Sequence, residues 1–175
     1  DGVITTVAGN GNVGFSGDGG AATAAQLAGP RGVFVDHAGN LYISDASNHR
    51  VRKVTPGGVI TTVAGTGKNG FTGDGGAATA ARLNFPSATY VDRLGNMYIA
   101  DTGNHRIRKV TPGGTITTLA GDGFTNDSNG GRFTGDGGPA TAASLNFPTD
   151  VVADRIRALY VVDTFNHRIR KVTPD

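Results

Sequence analysis

Residues 1–175 read as an all-β protein of the β-propeller type, and three observations carry that reading. A segment of 56 residues repeats: residues 1–56 and 57–112 share 37 identities at that shift, and a third copy begins at Gly114. Each copy holds four short runs of β-branched and aromatic residues bounded by turn residues. Glycine is abundant, at 29 residues, and follows the long repeat rather than a three-residue period, which excludes a collagen-like chain.

In the first unit the strand candidates are Gly32–Asp36, Asn40–Ser44, Arg50–Thr55 and Val59–Ala64. The connections between them, His37–Gly39, Asp45–His49 and Pro56–Gly58, are tight enough to join only antiparallel neighbours. The fourth connection, from Gly65 to Ser87, is long and must carry the chain to the next sheet. Residues 1–175 therefore divide into three four-stranded blades: an outer strand at 1–9, blade one at 30–65, blade two at 86–121, and blade three at 148–175 without an outer strand of its own. The third unit departs from the pattern twice. It carries six extra residues around Asp122–Arg132, and it has Arg155-Ile-Arg-Ala158 where the others have His37-Ala-Gly-Asn40 and Arg93-Leu-Gly-Asn96. Losing Gly-Asn there loosens the expected hairpin.

Composition bounds the function. A net charge of +2 lacks the clustered basic face that phosphate binding requires. No cysteine is present, so disulfides contribute nothing. No apolar run approaches a membrane span, and Asp1–Gly9 lack the basic start and long apolar centre of a signal peptide.

The strings Asn40-Leu-Tyr-Ile-Ser-Asp45 with Asn48-His-Arg50, Asn96–Asp101 with Asn104-His-Arg106, and Tyr160–Asp163 with Asn166-His-Arg168 closely resemble the NHL repeat. The Gly-Asp-Gly-Gly segments at 17–20, 73–76 and 135–138 resemble a bacterial version of it, related to one in the teneurin extracellular region. The resemblance implies a ring of six blades, and similar bacterial repeats sit in secreted or cell-surface proteins.

Three blades are too few to close a ring. The expectation is a strand-exchanged homodimer forming one six-bladed ring, in which Val3–Ala8 of each chain completes blade three of its partner. Unpaired, that strand and both terminal blade faces would leave apolar surface and open edges. A stretch cut from a longer six-bladed chain would obey the same closure.

One Asp, one His and one Arg recur at each corner between the second and third strands: Asp45, His49 and Arg50; Asp101, His105 and Arg106; Asp163, His167 and Arg168. A three-histidine metal site is excluded by geometry, because blades pack about 10 Å apart. Each His is instead expected to bond within its own blade, to the corner Asp, and each Arg to make a blade-level salt bridge or corner contact. In the Gly-rich segments Asp18, Asp74 and Asp136 are expected as local caps, and the pairs Arg52-Lys53, Arg108-Lys109 and Arg170-Lys171 as solvated blade edges. Residues that break the repeat are the better binding candidates. At the channel mouth these are Arg31, Ser87 and Thr149 in one equivalent position, with Asp150 at the next, where Gly32 and Ala88 stand in the other units. Asn126 and Asp127 of the insertion would overhang the same face.

Only Arg31 and Asp150 are titratable at the mouth, and no nucleophile motif accompanies them. The reading is a non-catalytic scaffold or recognition module that self-assembles by dimerisation, with no cofactor or metal, taking a protein, glycan or small-molecule ligand on the long-loop face. The alternative, from resemblance to propeller lactonases and lyases, is a metal-dependent enzyme with a central-channel site. Some NHL domains bind RNA through a basic face, but no aromatic platform accompanies the basic residues here.

Overall fold

A computed structural model describes residues 1–124 and 132–174. Eleven strands are formed among them. β1 (Pro30–Val35), β2 (Leu41–Asp45), β3 (Arg50–Val54) and β4 (Ile60–Ala64) make one antiparallel sheet. A second contains β5 (Ala88–Val91), β6 (Met97–Asp101), β7 (Arg106–Val110) and β8 (Ile116–Ala120). The third has three strands, β9 (Pro148–Ala153), β10 (Leu159–Asp163) and β11 (Arg168–Val172). The inner strands β1, β5 and β9 lie side by side, so the sheets stand as three successive blades. In the single chain the segment expected to complete a partner's blade has no strand to pair with: residues 1–7 form no strand, and Val3, Ile4 and Val7 are exposed. A β-strand needs a neighbour to bond, and this chain sets none beside them.

The cores lie between blades. Tyr42, Val51 and Ala64 of blade one pack on Val91, Met97, Ile99 and Ile116 of blade two. The opposite face of blade two, with Tyr98, Ala100 and Ile107, packs on Val151, Leu159 and Val161. Alternation along each strand sends successive side chains to the two faces, so every complete blade has two apolar sides and needs a neighbour on each. Both ends of the arc stay open. Ile169 is 64% exposed, while its repeat equivalents Val51 and Ile107 are 0% exposed, and at the other end Val33 and Val35 face solvent.

Each long connection becomes part of the blade that follows it. Gly19 N donates to Ile60 O at 2.8 Å, Ile60 N to Gly20 O at 3.0 Å, and Ala22 N to Gly58 O at 2.7 Å. The same pattern joins Gly75, Gly76 and Ala78 to Ile116 and Gly114. These bonds cover the outer edges of β4 and β8, which would otherwise template aggregation. They also occupy N–H groups that an anion would need, so the Gly-rich segments serve as edge covers. Single-turn 3-10 helices follow at Ala22–Ala24, Ala78–Ala80 and Ala140–Ala142.

The corner residues perform as structure, but with different partners from those expected. Asp45 is fully buried and accepts from Ala28 N (2.8 Å), Asn48 Nδ2 (2.8 Å) and Arg52 Nη1 (3.4 Å). Asp101 and Asp163 repeat this with Asn84 N, Asn104 and Arg108, and with Asn146 N, Asn166 and Arg170. Asn48 and its equivalents therefore occupy the place expected for the histidines.

Arg52, Arg108 and Arg170 are not solvated edges. The first two are fully buried, and their second Nη reaches Asp18 at 2.8 Å and Asp74 at 2.7 Å; Arg170 reaches Asp136 at 2.7 Å. Asp18, Asp74 and Asp136 thus act as long-range ion-pair partners rather than local caps. An arginine between two carboxylates is shielded from water because each side of the guanidinium has an acceptor. Arg50, Arg106 and Arg168 form corner contacts and, among the described residues, no salt bridge. Each donates to the carbonyl two residues earlier, at Asn48, Asn104 and Asn166, and lies 3.6–3.8 Å from the ring centre of Phe15, Phe71 or Phe133.

His49 and His105 reach the next blade rather than their own. Phe85 N donates to His49 Nδ1 and Phe147 N to His105 Nδ1, each at 3.2 Å, with the phenyl ring set edge-on to the imidazole. The histidines take left-handed backbone, φ 53° and 56°, which aims the ring sideways out of the sheet. His167 adopts the same conformation, φ 54°, at the open end of the arc.

Two predictions follow from these contacts. Asp101→Asn should cost about 3–5 kcal/mol of unfolding free energy in denaturant titration, because it leaves Arg108 buried with one carboxylate missing. Lys109→Ala, one residue along the same strand, should cost under about 1 kcal/mol. Burial pulls His49 and His105 below the ordinary imidazole range, and the neighbouring Arg50 and Arg106 add to it. A depressed folded pKa contributes stability above about pH 6.5 that is lost as pH falls through the folded value. The melting temperature should therefore fall between pH 7 and 5.5, and the doubly substituted His49→Asn, His105→Asn protein should show a flatter profile over that window.

Candidate functional site

The inner strands β1, β5 and β9 lie side by side, and the four described residues expected at a channel mouth meet at one end of them. Arg31, Ser87, Thr149 and Asp150 line one cleft of about 400 Å³, bounded by the aromatic pair Phe34 and Tyr90. Their roles differ. Ser87 is 8% exposed and bonded to Thr102 Oγ1 (2.6 Å) and Thr149 O (2.7 Å), so its hydroxyl ties β5 to β9. Thr149 Oγ1 is paired with Thr164 Oγ1 at 2.5 Å. Arg31 is exposed, 5.9 Å from the centre of the Phe85 ring. Asp150 is exposed, with one carboxylate oxygen accepting from Val151 N at 2.8 Å and the other turned to solvent. The mouth thus presents one cation and one carboxylate from opposite ends of the arc, over a floor of committed hydroxyls. Asn126 and Asp127 lie outside the described residues.

Chemically, this arrangement can bind but has little with which to transform. Among the described residues, no group of three or more His, Cys, Asp or Glu side chains is placed to hold a metal ion. The buried Asp101 has its carboxyl pushed up to about 6 by burial, against the pull of Asn104, Asn84 N and Arg108, but it lies fully buried inside the blade, away from solvent.

The opposite end of the inner strands holds residues that sequence reasoning passed over. The turns between first and second strands begin Asp36-His37, Asp92-Arg93 and Asp154-Arg155, placing a basic residue at one equivalent position in every blade. The signal was present in the departure of Arg155-Ile-Arg-Ala158 from the Gly-Asn pattern. It read as a loosened hairpin because the spatial neighbours of that turn were not visible. The phenylalanines stacked on the corner arginines were likewise passed over, although Phe15, Phe71 and Phe133 recur once per unit.

Comparison with known proteins agrees with this architecture. The model of the Teneurin NHL domain matches residues 5–72 and 78–173. Teneurin-4 of Homo sapiens is 39% identical over 100 residues, covering 53% of this chain and 4% of that protein. NHL repeat-containing protein 2 of Homo sapiens is 30% identical over 139 residues, 74% of this chain and 18% of that protein. The chain spans less than a fifth of the length of these curated relatives. Among solved structures, an auxiliary nutrient binding protein from Bacteroides ovatus superimposes with a TM-score of 0.62 at 25% identity, over 82% of this chain and 37% of that one. A putative gluconolactonase, at 12% identity and a TM-score of 0.56 over 83% of this chain and 45% of that one, shares the fold alone. The thrice-repeated corner, the arc of blades and a match running nearly end to end agree: the chain belongs to the Teneurin NHL domain family.

Proposed function

We propose that the chain is half of a six-bladed ring, that two copies assemble by exchanging the segment Val3–Ala8, and that the ring serves recognition rather than catalysis. The observation that carries the assembly is a groove in blade three, about 380 Å³, running between Arg170–Thr173 and Gly135–Ala140. In blades one and two the equivalent space is filled by β4 and β8, bonded to the Gly-rich segment on one side and the third strand on the other. Ile4 matches Ile60 and Ile116 in the repeat; it is 98% exposed and they are 0% exposed. A second copy supplies that residue, the backbone partners for Gly137 and Ala140, and a cover for Ile169 and Phe165 against Val33 and Val35. Two such junctions are expected to bury an area in the obligate class, above about 2,000 Å².

A recognition role is supported by the mouth chemistry. Arg31 and Asp150 are free to contact a ligand, while the hydroxyls between them are spent on the wall. The Bacteroides neighbour described as nutrient binding is consistent with that role. The enzyme alternative has no comparable support at the mouth, where, among the described residues, Arg31 and Asp150 are the exposed titratable groups that line the cleft.

Light scattering is expected to give about 35 kDa, twice the 17.8 kDa of one chain. Ile4→Asp and Ile169→Asp should each shift the mass towards one chain. A stable, well-folded single chain, or an assembly whose blades do not total six, would overturn the ring.

A further inference from the structure

At the turn end of the channel each inner strand runs into a tight turn whose first residue is an aspartate. These carboxylates are consumed by the turns themselves. Asp92 accepts from Leu94 N and Asn96 N at 2.9 Å, from Asn96 Nδ2 at 2.8 Å, and from Tyr98 Oη at 3.2 Å. Asp154 accepts from Ile156 N, Ala158 N and Tyr160 Oη. The basic residues that follow have no such partner: among the described residues, no carboxylate makes an ion pair with Arg93, Arg155 or Arg157.

The third turn is built at a cost. Arg157 has φ +69° at the position where Gly39 and Gly95 have +78° and +81°. A side chain in this left-handed region is disfavoured relative to glycine. Ala158 also removes the amide that Asn40 and Asn96 donate to the turn aspartate at 2.8 Å. In a repeat this faithful, a strained residue and a lost hydrogen bond together bring two arginines to one place. Strain retained against the repeat points to a use for the side chains.

That place is a cleft of about 750 Å³, within the size range of small-ligand sites. Its wall is apolar: Phe34 and Tyr90 meet edge to face with centres 5.0 Å apart, and Leu94 is 62% exposed at the rim. Arg93, Arg155 and Arg157 border it. Arg93 is held in place, donating from Nε to His37 Nε2 at 3.2 Å, which leaves its two Nη groups to face a ligand. The Phe34–Tyr90 pair also bounds the mouth cleft, so the aromatic rings separate two chemically different ends of the channel.

We infer that this cleft binds a small organic anion with a flat apolar body, of the aromatic carboxylate class, the body against Phe34, Tyr90 and Leu94 and the carboxylate on the arginines. Guanidinium groups match a carboxylate in a two-point geometry, and an aromatic wall contributes area that inorganic anions cannot use. The inference deepens the recognition reading by naming a ligand class. It does not depend on ring closure, since one chain supplies every residue of the cleft.

Isothermal titration calorimetry with naphthoate tests it, beside neutral naphthalenemethanol and inorganic phosphate. Saturable binding of naphthoate, one per chain, is expected, with both controls much weaker. Arg157→Gly restores the residue of the other two units, so it should preserve or raise the melting temperature while weakening naphthoate about fivefold or more. Arg93→Gln should weaken it comparably, and Lys68→Gln, which removes a charge elsewhere, should not. Equal binding of the alcohol or of phosphate, unchanged affinity in the folded Arg157→Gly protein, or no saturable binding of naphthoate would each overturn the assignment. Light scattering on the same sample separates the two proposals: naphthoate binding to a 17.8 kDa species would retire the ring and leave the cleft standing.

Discussion

The structure depends on one buried cation per blade. Arg52, Arg108 and Arg170 each lie between the carboxylate of a strand-end aspartate and that of an aspartate 34 residues earlier in the chain. Burying a guanidinium is expensive, and the geometry recovers the cost only because both Nη groups find acceptors and a phenyl ring lies against the group. The Nε atoms of Arg52 and Arg108 have no hydrogen-bond partner. What the ion pairs achieve is topological: they pin the far end of a long glycine-rich connection to the blade it introduces. The connection can then bond to the outer strand and cover its edge.

Blade-to-blade contact rests on different forces. Apolar side chains from facing sheets supply the area, and the imidazoles of His49 and His105 add direction by accepting the backbone N–H of Phe85 and Phe147. Ser44 Oγ and Thr89 Oγ1, 3.1 Å apart, make a further buried link between the first two blades. The His–Phe contact is directional along the arc, so a blade has a donating side and an accepting side. An arc with one unmatched side of each kind is complementary to a second copy of itself, which is the physical basis of the proposed ring.

The strict repeat divides labour between residues. Positions kept in every unit hold blades together, as the aspartate, asparagine, arginine and histidine of the corner do. Several positions that vary line two clefts: Arg31, Ser87, Thr149 and Asp150 in one, and His37, Arg93, Arg155 and Arg157 in the other. The two clefts differ in charge and share the Phe34 and Tyr90 rings as a border.

The blade count, the order of strands and their antiparallel pairing were legible in the sequence, because they depend on local periodicity, turn residues and a repeat of 56 residues. So was the gathering of the four mouth residues, which follows once equivalent positions are known to line an axis. Partner choice at long range was not. Nothing local distinguishes Arg52 from a solvent-facing member of a basic pair, and only the packed blade shows it buried against Asp18. The histidine beside the corner aspartate in sequence turns away from it in space, because a left-handed backbone at His49 aims the ring at the adjoining blade. The basic turns were equally hidden, since their significance comes from meeting Phe34 and Tyr90 across two blades. Sequence determined which elements form, because backbone hydrogen bonding and turn chemistry act over a few residues. Tertiary structure decided which charges are paired and which stay exposed, because that is set by what packing brings within a few ångströms.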